Sequence, residues 1–174
     1  MQAPVDPPFV RAEKREGDKE LDAHMFRQAL SQFATGITII TTKDASGKYV
    51  GVTANSFNSV SLHPPLVLWS LSKKASSHDA FAQATHYGVS VLAAHQEELS
   101  HHFSTFKGDR FAGLEVKEGL EGVPLIPEAL AHFECRIKSR YDEGDHLIMV
   151  GEALRCDYRE GEALVYRSRK YFRN

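Results

Sequence analysis

Residues 37–54 read ITIITTKDASGKYVGVTA. From Ile37 to Thr42 every residue is β-branched, and branched Cβ atoms pack well on a pleated surface while losing side-chain freedom in a helix. Asp44 to Gly47 then supplies turn chemistry: the Asp side chain can bond backbone two residues on, and Gly takes positive φ without cost from a Cβ. Tyr49 to Ala54 resumes strand-type residues, so the stretch predicts a β-hairpin. Upstream, Asp22 is the expected N-cap of a helix in which Phe26, Ala29, Leu30 and Phe33 fall on one apolar face, ending near Thr35 and Gly36. Residues 1–20 carry three prolines in the first eight positions and a mixed charge run, and are expected to form a flexible arm ahead of one domain over residues 21–174.

Downstream, His63-Pro64-Pro65 bars a helix, so Leu66–Ser72 reads as a third, buried strand. Ser76 or Ser77 caps a short helix with Ala80, Phe81 and Ala84 inward, and Tyr87–Ala93 returns as a strand. Gln96, Glu97 and Glu98 open another helix and His101 and His102 close it, a charge order that suits the helix dipole; a Gly-containing loop follows. Phe133, Cys135 and Ile137 then alternate with Glu134, Arg136, Lys138 and Arg140, predicting a strand with one wet face. After the break at Asp142-Glu-Gly-Asp145, a buried strand runs from His146 to Val150 and on through Cys156, and Ala163–Tyr166 forms another. About seven strands and three short helices, without regular strand-helix alternation, make the fold class mainly β, an antiparallel barrel with added helices.

Composition narrows the function. The 174 residues, 42% hydrophobic, suit one domain, and 21 Lys and Arg against 23 Asp and Glu leave a net charge of -2, which argues against nucleic acid or an anionic membrane as partner. No apolar run approaches a bilayer span and the N-terminal stretch lacks a secretory core, so a cytoplasmic protein is expected. Cys135 and Cys156 stand outside any C-x-x-C pattern and read as small core residues. His95, His101 and His102 suit a solvated helix end, and no metal is expected. Signatures of dinucleotide Rossmann binding, P-loop transfer, elbow hydrolases and zincins are all missing.

What stands out is small hydroxyl and amide residues at strand ends: Thr35, Gly36 and Thr38; Thr53 through Ser61, with Ala54, Asn55, Ser56 and Ser59; then Ser70, Ser76 and Ser77. Such groups can bond a phosphate or the edge of a heteroaromatic ring, and equally serve turns and caps.

The runs ATGITIITT (34–42) and GVTANSFNSVSLHPPLVL (51–68), with Gly144-Asp-His146 later, resemble the flavin reductase domain family, the reductase components of two-component flavin monooxygenases. The likeness covers residue 22 to about 172. It implies a Greek-key split β-barrel homodimer that binds FMN or FAD, takes hydride from NADH or NADPH, and hands reduced flavin to a partner monooxygenase. On the resemblance, Thr53, Ala54, Asn55 and Ser56 border the isoalloxazine and ribityl chain, Ser70 and Leu71 form the next contact strand, and Ser76 and Ser77 lie near the flavin phosphate. Phe103 and the loop Lys107-Gly-Asp-Arg110-Phe111 match a segment closing over the flavin. His146 is the catalytic candidate on the nicotinamide side, with Tyr171 near the same opening. His146 also reads as a half-buried histidine at a strand start. The chain departs from the family pattern at Ala34, where Pro is common, and at Arg169, where Gly is common. Two alternatives stay open: a tightly FMN-bound reductase of another acceptor, corrinoid or protein, and a non-catalytic flavin-binding barrel. Arg167, Arg169 and Lys170 either meet a 2'-phosphate or face solvent.

Overall fold

The structure, a computed structural model, describes residues 9–17 and 20–173, so Met1–Pro8, Asp18 and Lys19 of the expected arm lie outside the described residues. Asp22 caps helix α1 (Ala23–Leu30), its Oδ1 accepting from Met25 N–H at 2.7 Å. The helix stops short of Thr35: Ser31 caps its C-terminus and turns follow, because Thr35 and Gly36 are drawn into a strand. Phe33 therefore lies beyond the helix, and Phe26, Leu30 and Phe33 all stay exposed. The apolar face is present, but nothing among the described residues covers it.

Among the described residues twelve strands follow: β1 (Thr35–Gly36), β2 (Thr38–Lys43), β3 (Tyr49–Ala54), β4 (Asn58–Leu62), β5 (Pro65–Ser72), β6 (His86–Val91), β7 (Lys117–Glu118), β8 (Pro124–Leu125), β9 (Ala131–Glu143), β10 (His146–Tyr158), β11 (Leu164–Arg167) and β12 (Lys170–Arg173). Helix α2 (His78–Gln83) sits between β5 and β6, and α3 (Glu97–Thr105) follows β6. Seven strands form one antiparallel sheet in the order β3-β2-β6-β9-β10-β5-β4, while β1, β11 and β12 form a smaller one. The predicted hairpin is β2–β3, paired from Thr38↔Ala54 to Lys43↔Tyr49. Its turn is set by Asp44, whose Oδ1 accepts from the N–H groups of Ser46 at 2.9 Å and Lys48 at 3.0 Å, with Gly47 at φ +83°. The Ser46 hydroxyl and those N–H groups hold the Asp44 carboxyl below the usual range.

Connectivity bends the large sheet. β3 and β4 are its two edges, about 29 Å apart if the sheet were flat at about 4.8 Å per strand step. Only residues 55–57 join them, a link reaching about 14 Å at full extension. The sheet must curl until its edges approach. Inside the curl lie Ile40, Trp69, Phe81, Tyr87, Val89, Cys135 and Met149, with Trp69 edge-on to Phe81 at 4.9 Å. A second core, including Ile37, Ile39, Leu92, Phe103, Phe111 and Leu164, lies on the other side of β2. Ile39 and Ile40 thus enter different cores, which is why β2 reads as an unbroken β-branched run rather than an alternation.

Several expectations need correction. β4 was not anticipated: its apolar residues, Val60 and Leu62, face solvent, so no core pattern marks this edge strand. β12 was missed because the turn before it, Ser168-Arg169, has no glycine although both residues have positive φ (+49° and +64°). Glu134 does not share the wet face. It is 8% exposed, because residues 119–122 fold over it and its Oε2 accepts from Leu120 N–H at 2.5 Å. Cys156 is exposed; Cys135 alone is a core residue, and burial pushes its thiol up to about 12.

Gly151, buried in β10, exists for space: a Cβ there would lie 2.7 Å from Cζ of the fully buried Tyr87. Gly151→Ala is therefore expected to cost about 1–3 kcal/mol through overpacking. Thermal unfolding would show this as a fall of roughly 2–4 °C per kcal/mol; an unchanged Tm would contradict the packing account.

Candidate functional site

The link 55–57 that bends the sheet also organises the polar residues. Beyond the pair Asn58↔Leu68, β4 has left the sheet and β5 lacks a backbone partner on that side. Ser56 supplies it: Ser70 N–H donates to the Ser56 hydroxyl at 3.0 Å, and that hydroxyl donates to Ser70 C=O at 3.2 Å. On β3, alternation places Gly51 and Thr53 toward α3, where Thr53 Oγ1 donates to Ser100 C=O at 2.6 Å. Asn55 follows in the same spacing, with its side chain exposed.

Two recesses border this part of the molecule. The larger, about 720 Å³, is walled by Thr53 and Asn55, by His101 of α3, and by Tyr166, Arg169, Lys170 and Tyr171 of the β11–β12 hairpin. Its aromatic wall is fixed: the Tyr171 hydroxyl bonds Ser100 Oγ at 2.9 Å, and its ring meets His101 edge-on at 4.9 Å and Tyr166 at 5.2 Å. That volume lies in the range of small-molecule sites. The smaller, about 220 Å³, is walled by Lys48, Gly51, Ser76, Ser77, Lys107, Arg110 and Phe111. Arg110 is clamped there, donating to Gly51 C=O at 2.7 Å and to Phe106 C=O at 2.9 Å, and burial pushes its guanidinium below its ordinary value without removing the charge. The two carboxylates in this wall are engaged by backbone, Asp109 by Phe111 N–H at 3.1 Å and Asp44 by its own turn.

Ser77 is the informative residue of the smaller recess. It is 3% exposed, precedes α2, and its hydroxyl has no hydrogen-bond partner, a cost that a ligand oxygen would remove. A buried free hydroxyl beside Lys107 and Arg110 suits a phosphate. With only six residues, α2 adds little dipole to that argument.

The other candidates scatter. Leu71, Ala54 and Phe103 bury their side chains in the two cores, where they back the walls. Phe103 packs edge-on against Phe111 at 5.0 Å beneath the loop. Thr38 is buried, its hydroxyl donating to Ala54 C=O at 2.8 Å, and Ser59 lies exposed on the edge strand. Thr35 and Gly36 pair with Tyr166 and Val165; the Thr35 hydroxyl is buried without a partner. Ser70 is turned to the outer side of β5. His146 begins β10 opposite Ser72, half-exposed, and lines neither recess; its Nδ1 lies 2.6 Å from Asp145 Oδ1, a bond that lowers the Asp145 carboxyl. Sequence reasoning missed His101 and Tyr166 as wall residues. The signal for His101 was a polar stripe on α3, Glu97, His101 and Ser104, which all face the larger recess. Among the described residues, no cluster of three or more His, Cys, Asp or Glu is arranged to hold a metal ion, and no helix is long and apolar enough to cross a membrane.

Comparison with known proteins gives a consistent set. The flavin reductase like domain family matches residues 30–174. FMN reductase (NADH) SmoA of Agrobacterium fabrum is 48% identical over 145 residues, covering 83% of this chain and 82% of that protein. The reductase subunit HsaB of a flavin-dependent monooxygenase from Rhodococcus jostii is 37% identical, covering 87% of this chain and 77% of HsaB. The solved NADH:FAD oxidoreductase SgcE6 of Streptomyces globisporus, in complex with NAD and FAD fragments, superposes with a TM-score of 0.82 at 37% identity, covering 88% of this chain and 93% of that one. Some relatives are longer, and the chain spans about half of their length.

The two neighbours Asn55 and Ser56 should separate by experiment. Ser56→Val strands the N–H and C=O of Ser70 and is expected to cost about 1–3 kcal/mol of stability. Asn55→Leu, at an exposed position, should change stability by no more than about 0.5 kcal/mol. Denaturant melts of the two variants test this, and equal midpoints would contradict the role given to Ser56.

Proposed function

The chain belongs to the flavin reductase like domain family, and from that membership we propose that it is an NADH-dependent flavin reductase, reducing FMN or FAD and releasing the product to a separate flavin-dependent monooxygenase. The observation that carries the reading is the pair of recesses beside β3, one with a buried unpartnered hydroxyl among cations of which Arg110 is held in place, the other walled by an amide and aromatic rings. Ser77, Lys107 and Arg110 hold the flavin phosphate; Thr53 and Asn55 meet the ring system. When bound side by side, flavin and nicotinamide supply the hydride chemistry themselves, so the chain needs no catalytic dyad. Its contribution is alignment and exclusion of water. His146, its ring held by Asp145, lines neither recess of its own chain, so its role at the nicotinamide end requires that the homodimer bring it to the partner's recess.

The curled sheet is read as the split barrel of a homodimer, supported by the uncovered apolar residues Phe26, Leu30 and Phe33. Sedimentation should find a species of about twice 19.5 kDa, and a monomer alone at micromolar concentration would contradict it. The dependence on a reduced nicotinamide supports a cytoplasmic setting.

Steady-state assays test the function. NADH oxidation should rise with added FMN or FAD and saturate; absence of flavin-dependent oxidation would contradict the proposal. Asn55→Leu is expected to raise the KM for flavin roughly fivefold, the value of one uncharged hydrogen bond. His146→Ala should lower kcat or raise the KM for NADH while leaving flavin affinity intact, and normal NADH kinetics in the folded variant would remove His146 from the site.

A further inference from the structure

A third recess, about 320 Å³, opens between α1 and the β11–β12 hairpin, and Asn55, Tyr166 and Arg169 line both it and the 720 Å³ recess. Its remaining charged or titratable wall residues are Arg27 and His24, no carboxylate lines it, and Leu30 and Phe33, which also belong to the proposed dimer face, complete its wall. An anion entering there meets attraction from two guanidinium groups with no opposing charge in the wall.

The way Arg169 is held points to a purpose. Ser168 and Arg169 form the two-residue turn between β11 and β12, both with positive φ, a conformation in which a side chain with Cβ is disfavoured and glycine is not. Glycine at Arg169 would relax the turn, yet the chain carries a long cation there. The turn is also tied down: Ser168 N–H donates to Ser31 C=O at 2.7 Å, and Arg167 Nη2 donates to Gln32 Oε1 at 3.3 Å, fixing the hairpin to the segment after α1. Arg27 is steadied by its own helix, Nε donating to Ala23 C=O at 3.1 Å. Two cations on separate elements, bonded together through the backbone, thus face one recess beyond Asn55.

We propose that Arg169, with Arg27, forms the subsite for the diphosphate bridge of the nicotinamide donor, and that the left-handed strain at Arg169 is retained for this binding. This rests on the reading of the chain as a flavin reductase. The flavin phosphate has its own place at Ser77, Lys107 and Arg110, so a second cationic recess at the other end of the Asn55 region belongs to the second ligand. The donor's nicotinamide then lies in the 720 Å³ recess and its phosphates in the 320 Å³ one, with Asn55 and Tyr166 at the junction.

Calorimetric titration of the protein with NADH, with phosphate-free reduced nicotinamide riboside and with FMN tests the proposal without relying on turnover. Arg169→Gly and Arg27→Gln should each weaken NADH binding about 5- to 50-fold, the loss of one or two charge-assisted contacts, and leave riboside and FMN binding within twofold. Arg169→Gly should at the same time raise Tm, because glycine relieves the turn. Ser168→Gly relieves the same turn and keeps the cation, so it should raise Tm with NADH affinity unchanged. Unchanged NADH affinity in Arg169→Gly, or a loss of FMN rather than NADH affinity, overturns the subsite. Failure of the wild-type protein to oxidise NADH with added flavin would instead remove the functional reading beneath it.

Discussion

The three-residue link between β3 and β4 is the constraint on which the molecule depends. A seven-stranded sheet whose edges are joined by so short a segment has to curl, and the curl creates the interior that Trp69, Phe81 and Tyr87 fill. The same link sends Ser56 to the exposed backbone of Ser70, which completes the bonding of β5 where β4 ends. It also leaves Asn55 unshielded where two recesses meet. Fold closure and site placement are thus consequences of one local feature, and a polar segment that looks like loop chemistry is structural at one residue and available for binding at the next.

Long-range covering decides what the other polar residues do. Thr38 and Thr53 each bond a backbone carbonyl, so their hydroxyls anchor strands. Ser77, by contrast, is buried with its hydroxyl unanswered, and its neighbours Lys107 and Arg110 arrive from a loop some thirty residues away. Trp69 Nε1 and the Tyr87 hydroxyl are also buried without a partner but lie in the core, whereas Ser77 lines a recess beside cations, and that combination marks where a ligand oxygen fits.

The parts legible in the sequence were those governed by local chemistry. The β2–β3 hairpin followed from β-branched runs around an Asp-Gly turn, and the cap at Asp22 from side-chain reach. β4 was hidden because an edge strand with Val60 and Leu62 outward carries no core alternation, and β12 because its turn uses Ser168 and Arg169 in place of glycine. Glu134 misled because alternation along one strand says nothing of the 119–122 segment that folds across it. For the site, the hydroxyl-rich runs and the family resemblance led to Asn55 and Ser77. The wall formed by His101, Tyr166 and Arg169 arises only when α3 and the C-terminal hairpin converge, which no spacing in the chain records.

The central claim is that one flavin and one donor meet side by side beside β3, with their anionic groups at opposite ends. The most direct measurement is a crystal structure of the protein with FMN. The account predicts the flavin phosphate within hydrogen-bond distance of Ser77 Oγ, beside Lys107 and Arg110, with the ring system reaching Thr53 and Asn55. A flavin phosphate lodged instead between Arg27 and Arg169 would contradict it.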